Sequence, residues 1–270
     1  MATIAENLHK VINAKSALMT SINAKNEGAI TNSTPFSAYP NAIDAIEVGG
    51  IDMSDKFISG CLEIKDYPDS EFLLSKCVTS VNIPEFVTSL GTSCFSNCSN
   101  LAYVTIPNTV TSLGTSCFSN CSNLTYVNIP DGVRKLDSYC FFYCSSLTEV
   151  TISDAVASFG SSCFEGCASL SAVTIPNAVT SLGIQCFRSC KSLSSVTIPY
   201  AVTSIGSYCF YYCSKLKSVT CKATTPPTLG SYVFSSTPST LVIYVPAESV
   251  DAYKTATNWS NYSNRIKAIA

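Results

Sequence analysis

Val87–Leu101 reads VTSLGTSCFSNCSNL, and Val110–Leu124 reads the same fifteen residues again, 23 positions further on. The offset runs well past these two copies. Counted from Val81, repeats begin at Val104, Val127, Val150, Val173 and Val196, with a degenerate one at Val219. No insertion or deletion interrupts the six full copies. Self-similarity at a short fixed period is the mark of a solenoid, in which each unit buries its apolar face only against its neighbours.

The columns of the repeat show what the coil dictates. Position three is Ile from Ile83 to Ile198, and position seven is Val from Val87 to Val202. Position fifteen is always Phe (Phe95, Phe118, Phe141, Phe164, Phe187, Phe210), and position twenty-one is always Leu. Position ten is Leu with Phe159 and Ile205 as exceptions. Val and Ile at positions one and three, with a polar residue between, have the period of a short strand. Pro follows that strand in five copies, Ser153 being the exception, and ends its ladder. Position eleven is Gly in five copies and Asp137 in the sixth, which predicts a tight turn with positive φ. The segment SCFSNCSNL reads as a helical or 3₁₀ turn with Cys, Phe, Cys and Leu pointing inward.

Composition narrows the function. Among 270 residues, 16 Lys and Arg face 18 Asp and Glu, a net charge of −2, and only 13% are charged. No basic run is present to neutralise phosphates, so nucleic acid is not an expected partner. No 18-residue apolar window suits a membrane span, and the N-terminus lacks the pattern of a signal peptide. The repeated cysteine pairs, from Cys94/Cys98 to Cys209/Cys213, have C-x-x-x-C spacing, and His9 is the only histidine. That is poor zinc chemistry, and it gives a catalytic thiol no base. An i,i+4 pair lies about 5–6 Å apart between Cβ atoms, too far for a disulfide. The expectation is a ladder of buried thiols, packed as small polarisable core residues. No metal, cofactor or catalytic residue is expected, and the protein is read as not an enzyme.

The pattern L-x-x-V-x-I-P-x-x-V-x-x-[LI]-G-x-x-C-F-x-x-C-x-x-L resembles the BspA-type leucine-rich repeat, with Cys where the usual unit has Ala before the Phe. The resemblance implies an α/β solenoid, a right-handed leucine-rich repeat of about seven 23-residue rungs, with an N-terminal helical segment and a C-terminal strand–helix cap. The domains follow as an N-terminal attachment segment (1–48), a cap (49–80), the solenoid (81–222) and a C-terminal cap (223–270). At the N-terminus, Ile4, Leu8, Val11, Leu18 and Ile22 form a heptad-like apolar stripe interrupted by Lys15, an expected seam for a homotrimer. PFSAYPNAIDAIEV reads as a second short helical piece. In the last segment TLVIYVP reads as a strand and AESVDAYKTA as a helix. MATIAENLHKVINAKSALMTSINAKN followed by TPFSAYPNAIDAI is similar to the start of phage tail-fibre and other virion proteins.

The positions that the repeat leaves free carry the functional expectation. Positions thirteen, sixteen and seventeen are small and polar in the first two copies. They become Tyr139, Phe142 and Tyr143 in the third and Tyr208, Tyr211 and Tyr212 in the sixth. On the strand face, Tyr103 and Tyr126 occupy adjacent copies. Such tyrosines fit ordinary surface positions, and they also fit a contact surface, because aromatic rings offer large area at low entropy cost and stack on sugars. With the two resemblances, the expected function is a non-enzymatic phage virion protein, a tail or capsid fibre binding a host-surface glycan or protein. Its N-terminal segment would contact other virion proteins, and the virion surface is the expected location. The alternatives are a BspA-like bacterial cell-surface adhesin and a structural virion spacer without a ligand.

Overall fold

In the computed structural model, the described residues are 79–269 apart from Pro84 and Phe86, together with the short backbone segments Glu47–Val48 and Ile51–Asp52. Those two segments pair antiparallel, so the end of the expected second helical piece is extended. The apolar stripe of Ile4, Leu8, Val11, Leu18 and Ile22 lies outside the described residues.

The repeats wind into a parallel β-solenoid of about eight turns with three faces. The strand face stacks Ser80–Asn82, Tyr103–Thr105, Tyr126–Ile129 and Glu149–Ile152, then Ser195–Ile198, Ser218–Cys221, Val242–Val245 and Ile266–Ala268. Residues pair with their equivalents one copy on, Val127 with Val150 and Val196 with Val219. A second face stacks seven two-residue strands, Ser89–Leu90 to Thr228–Leu229, without interruption. Both stacks continue past Lys222, because one extra residue before Thr228 is absorbed and the register recovers as Ser204 with Thr228.

The third face is a ridge of turns, where the expectation of a helical piece gives way to something else. Positions thirteen and seventeen sit at positive φ in all seven rungs, among them Ser93, Tyr139, Gln185 and Tyr212, and only Gly166 is a glycine. Two left-handed residues four apart break any helix. Instead the backbone N–H groups of positions thirteen, fifteen and seventeen reach the next rung, as in Ser93 to Thr115 O, Phe95 to Cys117 O and Asn97 to Ser119 O, at 2.7–2.8 Å. The helices among the described residues all belong to the C-terminal end: Ala247–Ser249 and Trp259–Arg265 are 3₁₀, and Val250–Thr255 is α.

The column-eleven glycines also have a different cause from the expected one. None of them has positive φ. A Cβ on Gly114 would meet Thr92 N at 2.6 Å and Gly91 C at 2.7 Å, and one on Gly183 would meet Gly160 C at 2.4 Å. These glycines let consecutive rungs approach at the corner. Inside, the phenylalanines stack with centroids 5.2–5.7 Å apart and planes within 8° from Phe95 to Phe234. The cap ends this column: Trp259 and Tyr262 pack on Phe234, the Trp259 indole donates to Pro227 O at 2.7 Å, and the buried Tyr253 hydroxyl donates to Ala223 O at 2.8 Å.

One junction departs from the rest. Between the fourth and fifth rungs the strand-face ladder stops, and the fifth rung keeps only a bridge from Thr174 to Thr197 on its far side. The other two faces stay bonded there, through Ser158 with Ser181 and through Ser162, Phe164 and Gly166 donating to the next rung at 2.8 Å. Two departures from the repeat flank this seam. Phe159 takes a leucine position and packs edge-on against both Phe164 and Phe187, and Ser153 replaces the strand-ending Pro. Ile152 is correspondingly only partly buried.

Candidate binding surface

The cysteines are the residues most suggestive of chemistry, and the fold takes it from them. Twelve are free and buried. At position eighteen each sulfur sits against the Phe carbonyl of the rung before, Cys121 on Phe95 O and Cys144 on Phe118 O at 3.1 Å. That carbonyl already accepts the backbone N–H of its own rung, Cys98 to Phe95 O at 3.2 Å, so the thiol satisfies its second lone pair. Burial pushes the Cys98 and Cys213 thiols up to about 12 and holds the others well above the ordinary value. Protonated thiols without access are neither nucleophiles nor ready ligands. Cys94 departs from the expected ladder of thiols, because it is disulfide-bonded. The spacing argument concerned partners within one turn and leaves bonds to other parts of the chain open. Among the described residues no group of three or more His, Cys, Asp or Glu is placed to hold a metal ion.

What faces outward on the turn ridge differs rung by rung. Tyr139, Phe142 and Tyr143 form one cluster with ring centroids 5.5 and 4.5 Å apart. Tyr143 folds over the fourth rung at Gly166, where an added Cβ would lie 3.0 Å from its ring. Two rungs of charge follow. Glu165, with its side chain 8% exposed, accepts from Arg188 Nη1 at 3.2 Å, and Arg188 lies over the Tyr211 ring at 5.7 Å. Arg188 Nε is buried without a partner. Tyr208, Tyr211 and Tyr212 form the second cluster, Tyr208 meeting Tyr211 at 5.6 Å.

Six of the eight tyrosine and phenylalanine candidates therefore share one ridge, in two clusters. Tyr103 and Tyr126 do not join them: they pair on the strand face, with Tyr103 the more exposed. Within the ridge, Tyr143 is 49% exposed and Tyr212 47%, whereas Phe142, Tyr208 and Tyr211 are half-buried. Sequence reasoning missed Tyr232, which stacks on Tyr208 at 5.3 Å and is 60% exposed. It is position thirteen of the degenerate seventh copy, legible only once the extra residue is discounted. The Glu165–Arg188 pair was missed too. Its signal was opposite charge at position sixteen of adjacent copies, the sheet-like neighbours of a solenoid.

The sequence matches the family model for the BspA type leucine rich repeat region in 6 copies, over residues 65–193 and 142–263. Among solved structures it is similar to a leucine-rich repeat protein from Bacteroides ovatus, with 28% identity, a TM-score of 0.53, and coverage of 62% of this chain and 53% of that one. It is similar also to the T. pallidum leucine rich repeat protein TpLRR, with 27% identity, a TM-score of 0.55, and coverage of 60% and 78%. The chain thus spans about half the length of the Bacteroides ovatus protein. No curated protein matches it, and no enzymatic family is indicated. With Ile, Phe, Cys and Leu columns closing one continuous core and the family model matched from residue 65 to 263, the chain belongs to the BspA-type leucine-rich repeat family.

Proposed function

We propose that the protein is a non-enzymatic adhesion protein whose turn ridge makes the contact with a host-surface glycan or protein. The observation that carries this reading is the exposure of aromatic rings on a backbone that needs none of them there. Ser, Gln and Gly occupy the same left-handed positions in other rungs. Rigid rings on a rigid ladder lose little entropy on binding. The test is adhesion of the full chain to candidate host cells, beside a Tyr143→Ser/Tyr212→Ser variant. Both changes copy neighbouring rungs, so the fold should be kept. Binding should fall by about thirtyfold or more, two hot-spot contacts being lost. Equal binding by parent and variant would move the contact to Tyr103, Tyr126 and the strand face.

The surface that displays the solenoid has two readings. The N-terminal resemblance to tail-fibre proteins supports a virion, with the stripe from Ile4 to Ile22 joining a homotrimer or docking on another virion protein. Likeness to the Bacteroides ovatus and T. pallidum proteins supports a bacterial cell surface. Immunogold labelling of purified particles and of intact cells separates the two. Light scattering at micromolar concentration tests the trimer, and a monomer would remove it.

A further inference from the structure

The charges of the solenoid are segregated along its axis. From residue 79 to Glu165 the chain carries six carboxylates (Glu85, Asp131, Asp137, Glu149, Asp154 and Glu165) and two cations, Arg134 and Lys135. From Gly166 to Ala247 it carries no carboxylate and five cations: Arg188, Lys191, Lys215, Lys217 and Lys222. A net charge of −2 for the whole chain hides this division. The basic stretch coincides with the second aromatic cluster. Lys191 Nζ lies over the Tyr212 ring at 5.6 Å, Arg188 lies over Tyr211 at 5.7 Å, and Lys215 is exposed on the same rung as both tyrosines. Arg188 spends one nitrogen on Glu165, leaves Nε without a partner, and keeps its side chain 38% exposed.

We infer that rungs five to seven take an acidic polysaccharide, its sugar rings on Tyr212 and Tyr232 and its carboxylates on Lys191, Lys215 and Arg188. The proposal rests on the adhesion reading of the ridge and names its ligand class. Sugar rings present C–H faces that phenol rings accept, and the cations at the ring margins supply charge-assisted bonds to a carboxylate. The clusters also divide the work. Tyr139 and Tyr143 lie beside Asp131, Asp137 and Glu149 in the acidic half, a setting that repels the same polymer, so the anion belongs to the second cluster alone. Nucleic acid fits less well, because a phosphate track needs cations rung after rung, whereas here the sixth and seventh rungs present tyrosines where the fifth presents Arg188.

The test uses the full chain with polygalacturonate and hyaluronate, with fully methyl-esterified polygalacturonate as the uncharged control and single-stranded DNA as the competing polyanion. Binding to at least one of the two acids is expected, weakening steeply as salt is raised, with the ester bound at least about tenfold more weakly. Lys191→Gln/Lys215→Gln should lose about tenfold in affinity for the acid, and Tyr143→Ser should not change it. Equal binding of the ester, no binding of either acid, or tighter binding of DNA would each overturn the proposal. Adhesion of the parent protein to cells that survives the lysine changes would sink the acidic ligand while leaving the aromatic ridge as the adhesive surface.

Discussion

The turn ridge and the strand face are built from the same repeat and behave differently. The ridge keeps its rung-to-rung bonds from Ser93 to Ser235, although its side chains change from Ser and Asn to Tyr, Glu, Arg and Gly. The strand face keeps its residue types, Val and Ile inward with Thr or Asn between, and yet loses its ladder between Glu149–Ile152 and the fifth rung. Variation in sequence thus accumulates where the backbone alone does the stacking. Interruption of structure occurs where a volume change in the core can be felt. The ridge sits above the two cysteine columns, while the strand face lies over branched aliphatic residues.

The strongest way to break this comparison is alkali. A thiol whose pKa is raised on folding stabilises the protein fully below the unfolded value near 9 and loses that contribution as pH climbs toward the folded value, about 12 for Cys98 and Cys213. Each thiol then withdraws up to about 1.4 kcal/mol per pH unit. Twelve buried free thiols act together, so the loss within about one unit above pH 9 exceeds the ~5–15 kcal/mol of a typical domain. Circular dichroism should show a steep unfolding transition between about pH 9 and 10, with ridge amides losing exchange protection alongside the rest. A native signal persisting to pH 11 would mean that the sulfurs do not hold the ridge side together.

Next in size is Gly114→Ala. Its methyl group would meet backbone atoms at 2.6–2.9 Å, and backbone cannot rotate away, so the loss should be about 3 kcal/mol in urea unfolding. Gly183→Ala makes a closer contact, but at the junction where the strand face is already parted. If that seam supplies slack, the second variant should be the milder one. The opposite ranking would show that the corner carries its load independently of the strand face.

The smallest effect sharpens the comparison most. Phe159→Leu restores the column residue at the seam and should change global stability by no more than about 1.5 kcal/mol, since a closing ladder offsets lost aromatic burial. Amide exchange at Val173 and Ile175 should slow if Phe159 wedges the fourth and fifth rungs apart. Unchanged exchange would leave Ser153 as the remaining local cause.

Much of this fold is legible in one chain, because a repeat is its own alignment. Six copies show Ile, Phe, Cys and Leu as inward columns, and all of these are buried or packed against the core. What misleads is any residue with two physical uses. Glycine at column eleven serves close approach of rungs as readily as a left-handed turn, and only geometry separates them. Serine, tyrosine and glutamine at column thirteen carry no hint of positive φ, because cross-rung bonds rather than residue preference impose it. The clustering of Tyr139, Phe142 and Tyr143 was readable from the period, whereas Tyr232 lay behind one inserted residue, and the cation over each phenol of Tyr211 and Tyr212 needed three dimensions.

The left-handed positions have a consequence for how the chain folds. Thirteen residues other than glycine hold positive φ along the ridge, each at a cost of about 1–2 kcal/mol for an L-residue. A single rung has no neighbour to supply the bonds that offset this, so it cannot rehearse its native turn alone. The nucleus must then span several rungs at once, and propagation from it should be steep, each new rung finding a template already set. A shortened coil should lose its ridge geometry abruptly at a threshold number of copies, rather than weakening in proportion to length.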